Sequence, residues 1–276
     1  MPPGKAFTRY VQDFNTMSEV RLKLRPERLE RLRELAQDEE SGDSSGVKIS
    51  RQDAVSSYVA CLVTHCNASS PIEVVRNNYN DSHHMLPLNC FLYRGSPFVS
   101  SSMIGTNAIV FIQTPPLDEE SSLSSVARAI RRSIEQAKTS QFASEVILNA
   151  QKSMLSAANK LNSYCVLPPR ACLTINGNLS VDWSSVHFGF PGQTRFHTKW
   201  LGTRYVRIFR SNPEFYPSTN GNYAVHDSRE GWVDVQFGVD KKIYTDVIHQ
   251  MERDMESLDA GRPLPYTTSP TRCNVT

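Results

Sequence analysis

Hydrophobic positions along this chain switch between two periods, and the switches mark out its elements. Residues 19–24 alternate, with Val20, Leu22 and Leu24 on one face and Glu19, Arg21 and Lys23 on the other, the pattern of a half-buried strand. Pro26 then stands where a helix would begin, and Leu29, Leu32, Leu35 and Ala36 fall on one side of that helix. The acidic, Gly/Ser-rich run from Asp38 to Gly46 reads as a flexible surface loop. Ser50-Arg51-Gln52-Asp53 has the form of a helix start, with Ser50 as N-cap and an acid in the first turn. The helix continues through Ala54, Val55, Tyr58 and Leu62 to about His65.

Alternation returns near Leu86–Tyr93, and Thr106–Ile112 is apolar enough towards its end to predict a central strand buried on both faces. Leu123, Val126, Ala127, Ile130 and Ile134 mark an amphipathic helix. Arg128, Arg131 and Arg132 lie largely outside its stripe and read as a solvated basic face. A second helical stretch spans roughly Phe142–Leu161. Strands follow at Ala171–Ile175, Tyr205–Phe209 and Trp232–Phe237, and a last helix buries Ile243, Val247, Met251 and Met255. The order β-α-α-β-β-α-α-β-β-β-α predicts a two-layer α/β sandwich, a mixed sheet with helices packed on it. A doubly wound nucleotide fold would need regular β-α alternation and a Gly-rich first turn, and neither is present.

Composition narrows the function classes. With 30 basic and 28 acidic residues among 276, the net charge of +2 provides no electrostatic footprint for nucleic acid or an anionic membrane. No apolar run approaches the roughly 20 residues that span a bilayer. The six cysteines, Cys61, Cys66, Cys90, Cys165, Cys172 and Cys273, form no C-x-x-C pair and no zinc spacing, so they read as reduced thiols of a cytoplasmic protein. P-loop, dinucleotide and G-x-S-x-G signatures are missing. His83-His84 is a histidine pair in a polar loop, without the further ligands that a metal site requires.

Four segments carry more information. Lys48-Ile49-Ser50-Arg51-Gln52-Asp53-Ala54-Val55-Ser56-Ser57-Tyr58 opens a helix. Tyr93-Arg94 is followed by Ile104-Gly105-Thr106-Asn107-Ala108. Val186-His187-Phe188-Gly189-Phe190-Pro191-Gly192 reads as a tight loop anchored in the core by its aromatics, and Gly231–Val239 as an alternating strand running into the last helix. In this order and rough spacing, from about residue 17 to 255, the segments resemble the C-terminal domain of the BAHD acyltransferases. The first is similar to that family's helix start after the inter-domain crossover, the second to its arginine-bearing strand and "FGN" stretch, and the third to its "DFGWG" loop.

The resemblance implies a CoA-dependent acyltransferase-like half, with residues 1–16 as a crossover-like segment, 17–258 as the C-terminal domain and 259–276 as a polar tail. It implies acyl-CoA as co-substrate, no covalent cofactor and no metal, and transfer of the acyl group to a hydroxyl or amine of a secondary metabolite. Lys48, Ser50 and Arg51 are the expected contacts for the coenzyme's phosphates. Arg94, His187, Phe188, Gly189, Phe190 and Gly192 form the expected structural motif. His187 stands where the family has the aspartate that pairs with its arginine, leaving Asp182 as a candidate partner for Arg94. The family's general base, the histidine of H-x-x-x-D, is missing. Four positions after the seven histidines stand Ser69, Pro87, Leu88, Pro191, Leu201, Glu230 and Arg253.

No catalytic residue is therefore assigned within this chain. The base would come from an N-terminal half or a partner chain; the alternatives are a non-catalytic binding subunit or a truncated gene product. A half-molecule would also expose the face that packs on its mate. Self-association, a second acyltransferase-half chain as partner, or poor solubility is accordingly expected, and a monodisperse monomer at micromolar concentration in light scattering would argue against this.

Overall fold

The computed structural model describes residues 8, 11–12, 14–37, 46–68, 86–92, 109–114, 121–160, 172–182, 186, 188–189, 196, 204–212, 214–217, 223–227 and 230–267. Along these the elements are β1 (Met17–Leu24), α1 (Pro26–Gln37), α2 (Arg51–Ala68), β2 (Leu86–Leu92), β3 (Ile109–Gln113), α3 (Leu123–Ala137) and α4 (Ser140–Asn159). There follow β4 (Cys172–Gly177), β5 (Tyr205–Arg210), β6 (Glu214–Pro217), β7 (Tyr223–Asp227), β8 (Val233–Asp240) and α5 (Tyr244–Asp259). Almost all of the expected Asp38–Gly46 loop lies outside the described residues.

One sheet of six strands runs β1-β8-β5-β4-β2-β3. Its β4 ladders with β2 and β5 are parallel, and its other three ladders are antiparallel. The α/β architecture with a mixed sheet is thus as expected. Two strand readings need correction. The apolar run ending at Ile112 forms β3, which occupies an edge of the sheet and not its centre. An apolar run signals that a strand packs against other elements, and α3 packs over both β2 and β3; it does not signal the strand's rank in the sheet. The sequence reading also omitted the β6–β7 pair, a separate antiparallel ribbon whose strands of four and five residues are too short to show a period.

Alternation commits every second residue to one core. Val20, Leu22 and Leu24 of β1, Leu173 and Ile175 of β4, Val206 and Ile208 of β5, and Val233, Val235, Phe237 and Val239 of β8 all join the same buried cluster as the helices. In α2 every residue from Asp53 to Thr64 is buried. Such a helix must be apolar on all sides, and α2 is enclosed by β4, α1, α3 and α5. Gly177, at the end of β4, is needed for this packing. A Cβ there would stand 2.0 Å from Gln52 Cδ at the start of α2.

The basic face expected on α3 is also corrected. Arg128 is only 4% exposed, and its Nη2 donates to the Gln37 carbonyl at 3.3 Å. Arg131 donates through Nε to Asp53 Oδ2 at 2.9 Å, and Asp53 is buried. Only Arg132 of the three is exposed. Packing of α3 against both α1 and α2 puts acceptors within reach of guanidinium groups that snorkel along the helix surface. By contrast α4, started by Thr139 accepting from Phe142 N–H, buries only Ala143 and leaves Ile147, Leu148, Met154 and Leu155 about half exposed.

The last helix buries Ile243, Val247 and Met255 as expected, and leaves Met251 half-buried. It also buries Gln250 and Asp254, which apolar periodicity does not predict. Tyr58 and Tyr266 hydroxyls both donate to Asp254 Oδ2, and Gln250 Nε2 donates to Oδ1 at 2.8 Å. Leu264 and Tyr266 are core residues, so the packed body reaches into the segment read as a polar tail. Burial pushes the Asp254 carboxyl above its ordinary 3.8, and the three hydrogen bonds only partly offset this. The folded state therefore holds this proton more tightly than the unfolded chain does. The group's contribution is complete below pH 3.8 and is lost as pH rises through the folded value.

Thermal melts of Asp254→Asn should show less pH dependence than wild type in that window, while Asp254→Ala should lose about 3 kcal/mol at neutral pH because three buried donors lose their acceptor. Asp53→Asn should cost about 2–3 kcal/mol in urea unfolding, since it takes a charged acceptor from the mostly buried Arg131 and leaves it only the exposed Glu135 as counter-charge.

Candidate functional site

The helix start singled out in the sequence is built as a capping box. Ser50 N–H donates to Asp53 Oδ2 at 2.8 Å, Asp53 N–H donates back to Ser50 Oγ at 3.2 Å, and Ser50 Oγ donates to Asp53 Oδ2 at 2.6 Å. Arg131 Nη2 also donates to Ser50 Oγ at 2.8 Å. Arg51 is exposed, with Nε 3.5 Å from Glu30 Oε2, and Lys48 is exposed at the same end. The first turn thus satisfies itself through Ser50 and Asp53, and the cations that face solvent are Lys48 and Arg51.

Of the loop motif, Val186, Phe188 and Gly189 are described. His187, Phe190, Gly192 and Arg94 lie outside the described residues. Phe188 does not anchor the loop in the core: its side chain is 82% exposed, at a backbone φ of 44°. Gly189 follows at φ 89°, so two successive residues take the left-handed conformation that a tight turn demands and that phenylalanine adopts only under strain. Asp182, the candidate partner for Arg94, lies 3.9 Å from Arg210 Nη1.

A different group emerges on the side of the sheet away from the core cluster. Alternation places Glu19, Arg21 and Lys23 of β1, Asp234, Gln236 and Gly238 of β8, Tyr205, Arg207 and Phe209 of β5, and Thr174 and Asn176 of β4 on this side. Register aligns Asn176, Arg207, Gln236 and Arg21 in one row, with Thr174 beside Tyr205 in the next. Glu19 Oε1 accepts from Arg21 Nε at 2.7 Å and from Gln236 Nε2. Burial pushes the Glu19 carboxyl up, but these hydrogen bonds outweigh it and hold the group below its ordinary value. Ser211 Oγ donates to Asp234 at 2.9 Å, and Phe196 stands edge-on to Phe209 with centroids 5.0 Å apart.

Three buried atoms in this region have no hydrogen-bond partner: Thr174 Oγ1, Arg207 Nε and Gln236 Oε1. Thr174 is 2% and Gln236 5% exposed. The sequence reading used Tyr205–Phe209 and Trp232–Phe237 only as strands. Their polar alternate positions were the available signal, but only the cross-strand register brings those positions together.

The buried Cys61 and Cys66 thiols are pushed up to about 12 by burial, which keeps them protonated at neutral pH. Among the described residues no group of three or more His, Cys, Asp or Glu is placed to hold a metal ion. No helix among them is long and apolar enough to cross a membrane.

No protein-family model and no curated protein sequence matches the chain. Solved structures do match in fold. F. graminearum TRI101 complexed with coenzyme A and deoxynivalenol superposes with a TM-score of 0.57 at 13% identity, covering 87% of this chain and 49% of that one. F. sporotrichioides TRI101 complexed with coenzyme A and T-2 does so with a TM-score of 0.53 at 14% identity, covering 87% and 50%. This chain spans about half the length of those proteins. At such identity the likeness establishes the architecture alone, and that architecture is a CoA-dependent acyltransferase-like fold.

Proposed function

We propose that this chain serves acyl transfer from acyl-CoA to a hydroxyl or amine of a secondary metabolite, as a BAHD-like C-terminal half that receives its catalytic histidine from an N-terminal half or a partner chain. The observation that carries the reading is the superposition of 87% of the chain on half of TRI101, a protein crystallised with coenzyme A. Lys48 and Arg51 would approach the coenzyme's phosphates through their side chains. Ser50 would hold the turn that presents them, because its hydroxyl is already engaged. The four motif segments quoted from the sequence support the family assignment, and the balanced cysteine-poor composition supports a cytoplasmic setting. A second reading, a non-catalytic binding subunit of the same fold, is favoured by the lack of any H-x-x-x-D in the sequence.

Calorimetric titration with coenzyme A should give saturable binding, and the chain alone should release no thiol from acetyl-CoA. Thiol release on adding an H-x-x-x-D-bearing N-terminal half together with a panel of alcohol and amine acceptors would support the enzyme, and continued silence the binding subunit. Failure to bind coenzyme A at up to roughly 1 mM, with or without that half, would overturn both.

A further inference from the structure

The polar side of the sheet holds a donor and two further hydrogen-bonding atoms that the fold buries and does not pair. Arg207 and Gln236 are directly opposed across the β5–β8 ladder, and Thr174 lies on the neighbouring strand β4, two residues before the partner of Arg207. Arg207 Nε is a donor and Gln236 Oε1 an acceptor, so the two could satisfy one another, yet neither does. The orientation of the Gln236 amide follows from its other contact. Glu19 carries an ionised carboxylate, which only accepts, so the NH2 end must face Glu19 and the carbonyl end is left over. Neutralisation of Glu19 by Arg21 at 2.7 Å leaves the Arg207 guanidinium as the cation without an acid partner among the described residues of the row.

Leaving buried polar groups unpaired is unfavourable unless something else pairs them. We infer that Thr174, Arg207 and Gln236 form a ligand subsite for the headgroup of a 2-hydroxy or 2-amino carboxylic acid. The guanidinium and the Thr174 hydroxyl would donate to the carboxylate, while Gln236 Oε1 would accept from the hydroxyl or amine. A guanidinium is the side chain best matched to a planar carboxylate. Opposed residues of an antiparallel pair lie about 4.5–5.5 Å apart, so the group reaching Gln236 belongs on a carbon adjacent to the carboxylate. A phosphodiester or a fully ionised phosphate would satisfy Arg207 and Thr174 but, carrying no proton to donate, would set its oxygens against the Gln236 carbonyl. The acyl-transfer reading enters only in naming such a molecule as the acceptor; the binding chemistry stands apart from it.

The test is calorimetry on the whole chain with mandelate, phenylacetate, which lacks the hydroxyl, and 1-phenylethanol, which lacks the carboxylate. Mandelate should bind saturably, and each of the others at least roughly tenfold more weakly. Arg207→Gln should abolish the advantage of mandelate over 1-phenylethanol, and Gln236→Met its advantage over phenylacetate. Thr174→Val, nearly isosteric, should weaken mandelate binding while a circular-dichroism melt shows the fold intact. Absence of saturable mandelate binding to folded wild-type protein would mean that water alone pairs these atoms, and would overturn the inference. So would undiminished binding by Arg207→Gln, or displacement of mandelate by inorganic phosphate or coenzyme A. A parallel titration with coenzyme A separates the two ideas: mandelate bound without coenzyme binding defeats the acyl-CoA reading and leaves the subsite standing.

Discussion

A single hydrogen-bonded register across β1, β8, β5 and β4 divides this part of the sheet into two chemically opposite sides, and the rest of the structure follows from that division. The eight residues of β1 pair with the eight of β8, and β5 and β4 continue the same phase. One side collects Val20, Leu22, Leu173, Val206, Val235 and Phe237 and is closed by helices. The other collects glutamate, arginine, glutamine, threonine and asparagine. A slip of one residue in any ladder would exchange the two sets and bury charge in the helix layer. The hydrophobic term thereby fixes the register, and the register in turn assembles the polar row.

Within the helix layer, two buried carboxylates take over where apolar packing gives no direction. Asp53 joins the start of α2 to α3 through Arg131, and Asp254 joins α5 to α2 and to Tyr266. Their surroundings differ. Asp53 has a guanidinium and a capping role, whereas Asp254 is held by neutral donors and is pushed towards its protonated form. Burial of a carboxylate among phenols is costly, and it ties three separate segments of the chain to one atom pair.

Much of this architecture could be read in the sequence because its cause is local. Val20, Leu22 and Leu24 alternate, Ser50 and Asp53 stand at capping distance, and Leu29, Leu32 and Leu35 repeat at helical spacing. What could not be read depends on partners distant in the chain. Arg128 and Arg131 look solvated on a helical wheel, and only the closeness of Gln37 and Asp53 makes them internal. Asp254 breaks the apolar stripe of α5 for the sake of Tyr58 and Tyr266. The helix start at Lys48–Arg51 was visible, whereas the row through Arg207 and Gln236 exists only by virtue of strand pairing. Phe188 misled for a related reason: an aromatic in a tight loop has no fixed direction until the backbone signs of its φ angles are known.

The missing side chain at Gly177 gives the two regions discussed above a mechanical relation. Gln52 occupies the volume that any other residue would fill, at the point where β4 ends and α2 begins. Three residues before that end, β4 carries Thr174, and two residues before Gln52 lies Ser50. Close-packed interiors transmit displacement and do not absorb it. The strand that carries one end of the polar row and the turn that presents Lys48 and Arg51 are therefore meshed like adjoining teeth, so that a shift of either is felt by the other.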